Sequence, residues 1–101
     1  CPPCRTEAPA LEKVWQLYKD KDVIFIGVDV QDRAADAQTF ITEFGITYPN
    51  GPDAGSKISI DYGVSGLPVT FFTNREGRII SRWVGAISEG LLIAHIEEIL
   101  Q

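Results

Sequence analysis

The pattern of apolar residues predicts an α/β domain built on a mixed β-sheet with helices on both faces. A β-branched run, VIFIGVDV at 23–30, is followed by a helical period and then by a second strand-like run, VTFF at 69–72. A strand, a helix and a strand in that order require a parallel crossover. Behind VTFF, the turn residues Asn74–Gly77 lead into RIISRWVG at 78–85, which reads as an antiparallel hairpin. Helical periods open and close the chain.

From Pro2 to about Asp20, Ala8, Leu11, Val14, Trp15, Leu17 and Tyr18 recur at helical spacing. Pro2 and Pro3 suit a first turn, where the ladder needs no backbone N–H. Pro9 lies inside the periodic stretch and predicts a kink, because it removes one ladder bond. The run at 23–30 reads as a strand buried on both faces. A second helix starts at Asp32 or Arg33, turns Ala37, Phe40, Ile41 and Phe44 inward, and stops at Gly45. TYPNGPDAG at 47–55 reads as loop, and 56–62 as a short helix ending at Tyr62–Gly63. After the hairpin, Ser88 and Glu89 open a last helix with Leu92, Ile96, Ile99 and Leu100 as its inward stripe. Trp15, Tyr18, Phe40 and Phe44 read as core rather than as cofactor contacts, and Glu97 and Glu98 as a solvated helix face. Asp29 and Asp32 follow a strand, where functional loops are common, yet nothing assigns them a role.

The 101 residues are expected to form one domain, 1–101. A hydrophobic content of 45% with 23% charged residues argues against disorder. A net charge of −5 and singly scattered basic residues exclude nucleic acid as a partner, since nothing is clustered to neutralise phosphates. Apolar runs such as VIFIGV are far too short to span a bilayer. A chain without methionine that opens on Cys1 is expected to be a processed or trimmed piece of something longer.

Cys1 and Cys4 are the only cysteines, and three chemistries compete for them. A structural metal site wants four ligands and one CxxC supplies two; the single histidine, His95, reads as a polar residue on a surface helix. No metal is therefore expected. Acylation of Cys1 leaves a second cysteine at spacing three unexplained. A redox pair explains both. Two cysteines at a helix start lie one turn apart, close enough to close a small disulfide ring. Cys1 then sits where unpaired N–H groups and the positive end of the helix dipole favour its thiolate. Cys4, one turn in, is better buried and holds its proton more firmly. An exposed attacking thiol and a protected resolving thiol are what dithiol exchange needs.

YGVSGLPVTFF at 62–72 places Pro68 at the first residue of a strand, where proline is tolerated. By base rate alone the Leu67–Pro68 bond would be trans. With CxxC ahead of a βαβ pattern, the chain here resembles the thioredoxin superfamily. CPPCRTEAPAL is similar to the active-site helix of its TlpA/ResA-like branch, which comprises membrane-anchored thiol–disulfide oxidoreductases working outside the cytoplasm. The branch's pattern of CxxC, a basic residue, Glu and a kinking Pro maps onto Cys1, Cys4, Arg5, Glu7 and Pro9. YGVSGLPVTFFTNREGRI and GAISEGLL are similar to its later blocks, and the likeness runs through the whole chain. Val69 departs from the pattern, since Thr commonly follows the proline.

The resemblance implies a cis Leu67–Pro68 bond and a substrate groove lined by Pro2, Pro3, Leu67 and Pro68. It implies that Cys1 attacks, Cys4 resolves and Glu7 handles their proton. Glu7 stands three positions after Cys4 on the same helix face, although an exposed acid favoured by the helix dipole would also explain it. The implied function is reduction of disulfides in partner proteins, for example in cytochrome c maturation, with electrons from an upstream dithiol protein and no cofactor. The implied location is the periplasm or the outer face of the membrane, with a membrane anchor upstream of this chain. A thioredoxin-like copper carrier and a non-catalytic fragment are the alternatives. A thiol peroxidase fits less well, because its Thr three residues before the reactive cysteine has no counterpart here.

In the resembling fold a central strand leads directly into the CxxC helix, and that strand is absent from this chain. Strands 23–30 and 69–72 would flank it, leaving unpaired backbone groups on their inner edges. Upstream residues of a longer chain, a strand lent by a second copy in a dimer, or a collapsed and rearranged sheet are expected to fill the gap.

Overall fold

A computed structural model describes residues 1–30 and 33–101; Asp32, one expected start of the second helix, lies outside the described residues. The elements are α1 (Pro2–Tyr18), β1 (Gly27–Asp29), α2 (Ala34–Phe44), β2 (Asn50–Pro52), a 3-10 turn (Ala54–Ser56), α3 (Lys57–Asp61), β3 (Val69–Thr73), β4 (Ile79–Val84) and α4 (Glu89–Leu100). They divide into two units: Cys1–Val14 together with Gly66–Gln101, and Trp15–Ser65.

In the first unit β3 and β4 pair antiparallel, with Val69 opposite Val84 and Phe72 opposite Ser81. Their turn is built by side-chain chemistry. Asn74 Oδ1 accepts from the amides of Glu76 and Arg78 at 3.1 and 2.9 Å, and Gly77 takes the left-handed conformation that the reversal requires. Ser88 caps α4, its hydroxyl accepting from the Leu91 amide at 3.2 Å. Leu92 and Ile96, spaced one turn apart, are each 1% exposed; Ala8, Val14, Phe72 and Ile87 are buried as well. α1 runs on through Pro9, which supplies no N–H to the carbonyl one turn back.

In the second unit β1 and β2 pair in parallel, with Gly27 opposite Asn50. The sequence reads 47–55 as loop throughout, so β2 is a correction. Its Gly and Pro content hides it, because pairing with β1 and not side-chain propensity makes it a strand. The Gly27 amide donates to the Pro49 carbonyl at 2.8 Å and the Asp53 amide to the Asp29 carbonyl at 3.0 Å. A Cβ at Gly27 would meet the Asn50 side chain, which would have to move to admit it.

The strand expected over 23–30 is also shorter and less buried than predicted. Pairing covers Gly27–Asp29 alone, and Ile24 and Ile26 are 77% and 72% exposed while Val23 is buried. Alternate side chains point to opposite faces, and only one face is covered here. Trp15, Phe25 and Tyr48 form an aromatic cluster with ring centroids 5.4 to 6.5 Å apart, consistent with a packing role for Trp15. On α2 the four residues expected inward, Ala37, Phe40, Ile41 and Phe44, are half-buried and the rest of the helix is exposed. Gly45 ends α2 in the left-handed conformation.

The antiparallel hairpin is present as expected, whereas the parallel pair is β1 with β2, and the strands form two two-stranded sheets.

Asp53 organises the second unit's short helix. It is 8% exposed, and its carboxylate accepts from the Ile58 amide at 2.7 Å, the Ser59 amide at 2.8 Å and the Ser59 hydroxyl at 2.6 Å. The Ser59 hydroxyl bond, with the two amide bonds, outweighs burial and holds the carboxyl below its ordinary value. A depressed carboxyl stabilises the fold above its unfolded value, near pH 4, and that contribution fades as pH falls through the folded value. Acid melts of the wild type should therefore lose stability below about pH 4, and Asp53→Asn should flatten the curve in that window. An unchanged slope in Asp53→Asn would show that these bonds do not stabilise the ionised form.

Candidate active site

All the site residues expected from the sequence fall in the first unit. The Arg5 amide donates to the Cys1 carbonyl at 3.2 Å, so α1 opens on Cys1. Cys4 closes that first turn. The two Cα atoms are 5.3 Å apart and the sulfurs are joined in a disulfide. Cys1 is exposed and Cys4 half-buried, so the two cysteines differ in access.

One expectation needs correction. A helix start normally offers several free amides to an anion, but Pro2 and Pro3 carry none, leaving the Cys4 amide to act with the helix dipole. The backbone therefore favours a Cys1 thiolate less than CxxC spacing alone suggests.

Glu7 is not the exposed acid that a dipole argument would place there. It is 8% exposed, and its Oε1 accepts from the Ile87 amide at 3.2 Å, across 80 residues of sequence. Burial pushes the carboxyl above its ordinary value, and the Ile87 bond offsets part of that rise.

The Leu67–Pro68 peptide is cis, with Pro68 buried and Leu67 45% exposed. The Pro68 carbonyl accepts from the Gly85 amide at 2.9 Å. Gly85 has φ +97°, a conformation that disfavours any side chain, which explains glycine at the end of β4. Two residues on, Ile87 holds Glu7. The segment 85–88 thus fastens the proline loop and the cysteine helix from one place.

Gly85 and Ile87 escaped the sequence reading. Gly85 carried a weak signal as a glycine after a strand, whereas Ile87 acts through its backbone and carried none. His95 is not a bare surface residue. It stacks on Phe72 at 4.7 Å, and its Nδ1 lies 3.0 Å from the Ser81 hydroxyl. Among the described residues no group of three or more His, Cys, Asp or Glu could hold a metal ion.

With this geometry in hand, residues 1–82 match the family model described as AhpC/TSA. The chain belongs to the AhpC/TSA family. Its similarities run to thiol–disulfide oxidoreductases. It is 36% identical over 101 residues to the thiol:disulfide interchange protein HelX of Rhodobacter capsulatus, covering 99% of this chain and 55% of that one. It is 28% identical over 99 residues to the thiol-disulfide oxidoreductase ResA of Bacillus anthracis, covering 98% and 57%. The chain thus spans little more than half the length of these relatives. Among solved structures, a thiol:disulfide interchange protein described as DsbE from Chlorobium tepidum superposes with a TM-score of 0.91 at 25% identity, over 100% of this chain and 73% of that one. A secreted Mycobacterium tuberculosis disulfide oxidoreductase superposes with a TM-score of 0.87 at 25% identity, over 97% and 73%. The fold is thioredoxin-like α/β.

The position of Glu7 makes stability depend on pH with a definite sign. A carboxyl raised above its unfolded value contributes stability below that value and loses it as pH rises through the folded value. Gln at this position carries no charge and keeps an oxygen for the Ile87 amide. Melting temperatures of Glu7→Gln and wild type should therefore diverge as pH rises above about 4.5, in favour of the variant. A gap that closes or reverses with rising pH would show that burial does not penalise the ionised form.

Proposed function

We propose that this chain is a thiol–disulfide oxidoreductase that reduces disulfides in partner proteins. The observation that supports it most is the Cys1–Cys4 disulfide at a helix start, with an exposed first cysteine and a half-buried second one. In the reduced state the Cys1 thiolate attacks a partner's disulfide, forming a mixed disulfide as one partner sulfur leaves as thiolate. Cys4 gives its proton to Glu7 and attacks the Cys1 sulfur. That closes Cys1–Cys4 and releases the partner's second thiol. Two electrons have passed to the partner, and an upstream dithiol protein returns the pair to its reduced state by the same exchange.

Leu67, exposed beside the buried Pro68, and Pro2 and Pro3, exposed beside Cys1, form the substrate-facing surface in this reading. The compartment is extracytoplasmic in this reading, as the secreted Mycobacterium tuberculosis disulfide oxidoreductase it resembles favours. Reduction of apocytochrome thiols during cytochrome c maturation is the proposed role, and membrane anchorage in the full-length protein and a strand lent by a second copy belong to the same reading. No helix among the described residues is long and apolar enough to cross a membrane. No observation favours the copper-carrier alternative.

Equilibration in graded thiol–disulfide buffers, read by mass spectrometry, tests the chemistry. A single two-electron transition near roughly −270 mV is expected of a reductant. A transition near about −120 mV would reverse the direction and keep the chemistry. Buffer thiols attached separately to Cys1 and Cys4, with no ring between them, would sink the enzyme. In Cys4→Ser, a partner disulfide should stall as a mixed disulfide on Cys1.

A further inference from the structure

One peptide unit, between Ala86 and Ile87, is held at both ends. Its N–H donates to Glu7 Oε1 at 3.2 Å, and its carbonyl accepts from the Trp83 indole Nε1 at 3.1 Å. Both bonds run through the same amide plane. A donor on the carbonyl oxygen polarises the amide and makes its N–H a stronger donor, so the two bonds reinforce each other. The indole also fixes the plane's rotation, which decides whether the N–H points at the carboxylate. Trp83 can do this because it is anchored twice over: it is paired with Thr70 in the β3–β4 ladder, and its ring meets the edge of His95 at 6.1 Å.

We propose that Trp83 is a positioning residue for Glu7, holding the Ala86–Ile87 amide on the carboxylate and so setting when Glu7 takes up the proton of thiol–disulfide exchange. This rests on the reading of Glu7 as the proton acceptor for Cys4. The elements that meet here carry other ionisable groups. α1 brings Cys1, Cys4, Arg5, Glu12 and Lys13, the last paired with Glu89 of α4 at 2.9 Å. α4 also brings Glu97 and His95, whose Nδ1 lies 3.9 Å from Glu98. On β4, Arg82 alternates to the face opposite Trp83. Replacing the indole with a ring that lacks its N–H leaves each of these charged groups in place, while it alters the ring that His95 meets.

Trp83→Phe in the full chain makes that replacement. The titration of the Glu7 carboxyl carbon, followed by NMR in the disulfide form, separates the positioning from the chemistry. The Glu7 midpoint should move up by roughly a few tenths of a pH unit, about a twofold gain in proton affinity. The pH profile of disulfide exchange should move in the same direction. In the Glu7→Gln background, Trp83→Phe should leave that profile where Glu7→Gln alone puts it. An unmoved Glu7 midpoint in a folded Trp83→Phe protein overturns the proposal. A midpoint that moves while the exchange profile stays still keeps the positioning and overturns the role of Glu7 in exchange. If Trp83→Phe does not fold, benzothienylalanine at position 83, with sulfur in place of the indole N–H, gives the same comparison at nearly unchanged shape.

Discussion

The hydrogen bond from the Ile87 amide to the Glu7 carboxylate joins parts of the first unit that are 80 residues apart in sequence. A buried carboxylate without a donor is costly, and so is a buried amide without an acceptor. The cysteine helix and the entry to α4 therefore cannot slide past each other without stranding both groups. Apolar burial of Val14, Leu92 and Ile96 contributes more energy, at about 1.5–3 kcal/mol for each large side chain, but it is non-directional. Directional bonds set the register. The segment 85–88 supplies them in series: Gly85 to the Pro68 carbonyl, Ile87 to Glu7, and the Ser88 hydroxyl to the first turn of α4.

That arrangement places the chemistry along one helix in order of exposure. Cys1 stands exposed at the start, Cys4 half-buried at the end of the first turn, and Glu7 buried one turn further on. Each step inward removes water and changes what the group can do. In the proposed exchange the exposed cysteine meets another protein's disulfide, and the half-buried one serves the intramolecular step. A buried carboxyl whose proton affinity is raised is better matched to proton exchange near neutrality than an ordinary surface acid. Pro2 and Pro3 act at the other end of this gradient, since they remove two amides that would otherwise stabilise an anion at the helix start.

How much of this was legible in the sequence follows from the range of each interaction. The cysteine pair, the proline before β3, the Asn74 turn and the Ser88 cap are encoded within a few residues, and each was read where it stands. Glu7 was read as a candidate from its spacing to Cys4, but its burial was not, because the group that receives it lies at the far end of the chain. Ile87 contributes only an amide that every non-proline residue possesses, so no residue type marks it. Trp83 lies within the run read as a strand and nothing there singles it out; its indole bond reaches a carbonyl three residues on, beyond Gly85 with its positive φ. His95 was misplaced on a surface because its partners, Phe72 and Ser81, sit on other elements.

The second unit shows why strand prediction fails in both directions. Residues 23–30 have high β-propensity, yet only Gly27–Asp29 finds a partner, and Ile24 and Ile26 stay exposed despite their branching. Asn50–Pro52 has poor propensity, yet it is a strand. Magnitudes decide the matter. The propensity scale spans about 1 kcal/mol in a host protein, and part of that reflects neighbours and not the backbone. A single backbone hydrogen bond contributes about 0.5–1.5 kcal/mol, and a buried polar group left without one costs about 1–3 kcal/mol. A segment offered a partner's carbonyls thus outranks a segment that merely prefers to be extended. Gly27 makes the offer possible by leaving room for the Asn50 side chain, which in turn donates to the Tyr48 carbonyl at 2.9 Å and steadies its own end of the pair. What makes Asn50–Pro52 a strand therefore lies in the other strand, whose backbone groups it pairs with.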